Sequence, residues 1–259
     1  MTQAAPQTVF NDRLSDVVDA IYDPPGEFAL RGLRRDIESL KRVDSSGYYE
    51  LSAHLMLAAG KLDDADEEYS RAFRIAPGQV DVVVRYLTAL SASNQSQKLR
   101  DRFNQYWETI RMDPAALRHC RGLLGGHGWI ETQKRVDPEL AKMKVAPACQ
   151  HEGLEGFDSM LANQVSEEEV AAVVTYCREF LYARRLAPHC IHSHVVPDGF
   201  GDSRLMYTYF VETTTEHAGQ VEWDLFEALA EKEFSADSKG VLVTAVVASR
   251  EDKSARISN

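Results

Sequence analysis

The sequence predicts an α + α/β chain: an N-terminal antiparallel helical array over residues 1–145, then a small three-stranded α/β domain over residues 146–259. Three observations carry this. From Val9 to Met143 the apolar residues keep helical spacing, and nothing reads as a strand. After Val145 the period changes, and runs of β-branched and aromatic residues alternate with helical ones. The charge shifts at the same place. Residues 146–259 hold 19 Asp and Glu against 9 Lys and Arg, whereas the first 145 residues are nearly balanced.

Turn residues divide the first half. Breaks fall at Asp23–Gly26, Asp44–Gly47, Gly60, Pro77–Gly78, Ser91–Asn94, Asp113–Pro114 and Gly125–Gly128, which leaves roughly eight short helices joined by short turns. Helices of that length with such links pack as antiparallel neighbours. The clearest apolar stripe is Leu99, Phe103, Tyr106, Trp107 and Ile110.

One window is more specific. In SSGYYELSAHLMLAAGKLDDADEEYSRAFRIAPG, small residues at Ala53, Ala65 and Ala72 let two helices approach closely. Gly60 opens the turn between them, Tyr69 fills the space towards the next helix, and Pro77 ends the pair. This window, residues 46–79, resembles a tetratricopeptide repeat. The next unit, Val80 to Asp113, fits loosely, with Leu99 and Tyr106 where the repeat has small residues, and Ser52 also departs from the pattern. The resemblance implies a tetratricopeptide-like array that holds another protein or a peptide on the face of its first helices. Here that face carries Glu50, His54, Leu57, Val84, Thr88 and Ser91. Paired Lys or Arg residues that would clamp an acidic tail are not among them.

The second half reads helix, strand, strand, helix, strand. Ser166 and Glu169 form a capping box that starts a helix running to about Leu186. His189–Val196 and Arg204–Thr213 are two strands joined across the turn-rich PDGFGDS. An amphipathic helix over Gly219–Phe234 turns Val221, Leu225, Ala228 and Leu229 inward. Gly240–Ser249 is apolar on both faces, as a covered strand is. The intervening helix is long enough for a crossover, so the last two strands are expected to be parallel. The last strand then lies at an edge, and pairing through Val241–Val247 with a second copy of the chain is expected.

Composition narrows the function classes. The chain has 259 residues and a net charge of −11. An acidic second half repels phosphate backbones, so nucleic acid is not an expected partner. The N-terminus lacks a basic start followed by an apolar run, and no stretch of about 18 apolar residues occurs, so a cytoplasmic location with no membrane association is expected. Four cysteines in a chain of this length do not make a disulfide framework.

The stretch PHCIHSHVVPDG raises the one question of chemistry. On a strand, Cys190, His192 and His194 share a face, while Ile191 and Val195 point to the core. Zinc or iron held by Cys190, His192 and His194 is the lesser alternative, and no cofactor is expected. HSHVVP also resembles the strand of histidine-triad hydrolases, with Cys190 where the first histidine would stand. An enzyme reading would therefore be a metal-dependent or histidine-based hydrolase centred on His192, His194 and Asp198. Pro197–Asp198 with Glu212 partly matches a nuclease core, but Thr214 stands where its lysine belongs. The leading expectation is a protein–protein interaction module: an adaptor, chaperone or regulatory, immunity-type protein whose helical half holds the partner.

Overall fold

Turn and capping residues set the helix lengths of the first half in the computed structural model, which describes residues 6–22, 25–145, 165–188, 190–197, 203–232, 234 and 242–248. The helices are α1 (Pro6–Tyr22), α2 (Glu27–Glu38), α3 (Ser45–Ala58), α4 (Leu62–Ile75), α5 (Val80–Ala92), α6 (Ser96–Gln105), α7 (Trp107–Ile110), α8 (Pro114–Gly125), α9 (Ile130–Lys134) and α10 (Asp137–Lys142), with a 3-10 turn over Ser39–Arg42. The second half supplies α11 (Glu167–Ala183), β1 (Cys190–Pro197), β2 (Ser203–Val211), α12 (Thr215–Lys232) and β3 (Leu242–Ala248). The chain is thus a helical array followed by a small mixed sheet with helices. Among the described residues, no helix is long and apolar enough to cross a membrane.

Two compact units result: Met1–Leu123 with Arg135–Val145, and Leu124–Lys134 with Ala146–Asn259. The piece Leu124–Lys134 groups with the second unit although it precedes residue 145 in sequence.

In the first unit, Asp44 accepts a hydrogen bond from the Gly47 amide at 2.9 Å and so starts α3. α3 and α4 form a tight helical hairpin, with Ala53, Ala65 and Ala72 fully buried where they cross. Gly60, at φ +71°, makes the turn between them. Tyr69 packs against Tyr86 of α5, the rings tilted by 31° with centres 3.8 Å apart. Asp66 of α4 receives the Tyr86 hydroxyl, Lys98 and, at 2.9 Å, Arg102. That one carboxylate ties α4 to α5 and α6. The stripe expected as one helix is broken after Gln105, and Trp107 begins α7; Phe103 and Ile110 stay buried on both sides of the break. The stripe of α1, with Phe10 and Val17 buried, packs on Ile37, Leu40, Leu51 and Leu55.

In the second unit, the Ser166 hydroxyl accepts from the Glu169 amide at 3.2 Å, and the Glu169 carboxylate accepts from the Ser166 amide at 2.6 Å. This is the reciprocal cap that the sequence announces. The sheet order is β1-β2-β3, with β1 antiparallel to β2 and β2 parallel to β3. One face is the core: Tyr207, Tyr209, Leu242 and Val246 pack against Val170, Val174, Cys177 and Leu181 of α11 and Val221, Leu225 and Leu229 of α12. The α12 helix begins four residues earlier than its spacing suggests. The Thr214 hydroxyl accepts from the His217 amide at 3.2 Å and caps it, so Gly219 lies inside the helix. β3 meets the expectation of two covered faces in part. Leu242, Thr244 and Val246 are buried on one face; on the other Ala245 is buried, Val243 is half-buried and Val247 is exposed.

Candidate functional site

The residues expected to face a partner divide into a buried group and a half-open group. Glu50 and His54 lie on α3 one turn apart, each only 1% exposed. Glu50 is gripped by Arg85 of α5, through Nε and, at 3.1 Å, through Nη2. Burial pushes the Glu50 carboxyl up, and Arg85 pulls it back in part. The His54 ring places Nδ1 2.9 Å from the Glu50 carbonyl, to which it donates. That leaves Nε2 to accept from the Tyr69 hydroxyl at 3.3 Å. Burial pushes the His54 imidazole down to about 4. Phe10 of α1 lies with its ring 5.3 Å from the Arg85 guanidinium, and α1 packs against both α3 and α5. The helical face that spacing assigns to Glu50 and His54 is therefore covered.

Leu57 and Ser91 are buried as well. Val84 and Thr88 of α5 are half-open. The Thr88 hydroxyl donates to the Val84 carbonyl and accepts from Nε2 of His119 in α8, both at 2.8 Å. Structure thus joins Glu50 with His54, and Val84 with Thr88, into two separate pairs.

Cys190, His192 and His194 share the outer face of β1. Opposite them on β2 stand Phe210, Thr208 and Met206. His192 is exposed and meets the Phe210 ring edge-on at 5.0 Å; Cys190 and His194 are half-buried. Ile191 and Val195 pack on the core from the other face. Asp198 lies outside the described residues. Among the described residues, no group of three or more His, Cys, Asp or Glu side chains is placed to hold a metal ion.

A polar cluster that sequence reasoning passed over sits in the second unit. The Tyr207 hydroxyl, fully buried, donates to the Gly125 carbonyl at 3.2 Å. Glu167, in the first turn of α11, accepts from the Thr132 amide at 2.8 Å and from its hydroxyl at 3.3 Å. Gly128, at φ +82°, lets the Ala171 backbone approach so closely that a Cβ on it would lie 2.9 Å from Cα. Ile130 joins the core. The GGHG run at 125–128 is legible as a turn; its docking on α11 is not, because nothing local distinguishes it from any other helix end. This cluster holds the Leu124–Lys134 piece in place.

No family model, curated protein or solved structure matches this chain.

Proposed function

We propose that this protein is an interaction module of the adaptor, chaperone or regulatory, immunity-type class, working in the cytoplasm with its partner on the helical unit. In this reading α3–α4 and α5–α6 are two stacked tetratricopeptide-like hairpins. The observation that carries it is α1. An amphipathic helix with Phe10, Val17 and Ile21 buried already lies against α3 and α5, so that side of the array has the shape and chemistry to hold a helix. Val84 and Thr88, on the part of α5 left half-open, are the first residues a partner would touch.

The test is affinity isolation with the intact chain and with its Val84→Glu variant, with metal analysis of the same sample. A stoichiometric partner, lost in the variant while the melting temperature stays put, supports the reading. No partner, together with about one zinc or iron per chain that disappears on His192→Ala, would replace it with the hydrolase centred on His192, His194 and Asp198.

A further inference from the structure

Strand β3 bonds to β2 on one side, and among the described residues no strand lies on its other side. Its sequence, LVTAVVA, has no charge and no proline, the usual means by which an edge is kept from pairing. One contact shows which way its backbone faces. The Val246 amide donates to Oε1 of Glu222 in α12 at 3.1 Å. Backbone groups alternate along a strand, so Leu242, Thr244, Val246 and Ala248 present theirs to the open edge. Glu222 closes one donor of that row.

The same contact places α12. Glu222 stands at the edge, and successive helix residues turn by 100°, which sets Phe226, Gly219, Ala230 and Trp223 on the flank from about 40° to about 100° beyond it. Phe226 is 41% and Trp223 62% exposed. Beside Gly219 there is open space for a neighbour. An apolar helix flank therefore continues directly from a sheet edge that no other described strand covers, and the surface spans two layers.

We propose that this edge docks a second copy of the chain, β3 against β3 and α12 against α12, about a twofold axis. The two layers select the occupant. A lone extended peptide would satisfy the backbone row but leave Trp223 and Phe226 in water. A second copy brings its own helix at the same level, and Gly219 and Ala230 let the two helices come close. A twofold at Ala245 sets Thr244 opposite Val246 and Leu242 opposite Ala248, all four with backbone groups facing the partner. In that register the Val246 amide goes to the partner's Thr244 carbonyl, so Glu222 has to let go. Glu222 is the guard of the interface, and its hold on Val246 keeps the pair weak.

Sedimentation equilibrium of the full chain, from about 1 to 200 μM, tests this against Glu222→Ala, Trp223→Glu and Phe226→Glu, each checked for an unchanged circular dichroism spectrum. These side chains are exposed or at the rim, so the fold should persist. The expected result is a concentration-dependent dimer, tightened about tenfold or more by Glu222→Ala and weakened at least as much by Trp223→Glu or Phe226→Glu. A chain that stays monomeric at the highest concentration in both the wild type and Glu222→Ala would overturn the proposal. So would a dimer that neither charged substitution weakens.

Discussion

Burying His54 makes the stability of the helical unit sensitive to acid. The imidazole titrates near 6.5 in an unfolded chain and about 4 in place. Between those values the unfolded chain binds a proton that the folded one refuses. The stability that depends on a neutral His54 is complete above pH 6.5 and is lost as the pH falls towards 4. From pH 7 to pH 5 that is about 2 kcal/mol. Glu50 pulls the other way, because burial raises its carboxyl. Comparison with His54→Gln isolates the histidine. Urea titrations at pH 7 and 5 should show wild-type stability falling by about 2 kcal/mol more than that of the variant. Parallel losses would assign the acid response to another group. The sequence places His54 and Glu50 on one helix face through the spacing of four residues. It does not say that α1 covers that face, because α1 carries an ordinary amphipathic pattern that would suit many surfaces. The Arg85 partner is thirty-five positions away, beyond the reach of any local rule.

Helices, strands and their order were legible where local chemistry decides them. Ser166 and Glu169 form their box, the histidines of β1 alternate with core residues, and the crossover makes β2 and β3 parallel. Boundaries slipped where a side chain that could be read two ways did the work. The strand expected to run to Thr213 ends at Val211, and Thr214 beyond it is the cap of α12. Gly219 looked like a helix start and lies within one. Two glycines with left-handed backbone separate local from tertiary demands. Gly60 has open space around it, whereas Gly128 abuts the Ala171 backbone. Gly60→Ala should cost about 1 kcal/mol, the strain of the backbone alone. Gly128→Ala adds a clash that no rotamer relieves, and should cost about 3 kcal/mol or more. Thermal melts of the two variants measure the difference, and equal shifts would mean that the turn at 125–128 moves off α11 freely.

At the scale of the molecule, the shift in charge and in period after residue 145 marks the part of the chain that supplies the sheet, whose first strand starts at Cys190. It does not mark where the units separate, since Leu124–Lys134 lies before the shift in sequence and has the contacts of the second unit. Residues 146–259 alone lack Ile130 in their core, the acceptor for the Tyr207 hydroxyl and the partner of Glu167. Residues 124–259 keep all three. The longer fragment should unfold cooperatively in urea, and the shorter one should be less stable by at least about 2 kcal/mol, the value of burying one isoleucine. Equal stabilities would show that the inserted piece is a passenger.

The interleaving also bears on how the chain is made. Leaving the ribosome from its N-terminus, the helical unit has all its residues once position 145 is out. Ile130 has by then emerged without a single core partner, since the first of them is Val165 and the last Val246. For about a hundred residues of synthesis, some five to twenty seconds, a strip of apolar chain waits in the open beside a finished neighbour. Anything that stalls translation in that interval lengthens the wait, and a chaperone that reads short apolar segments would find its target there.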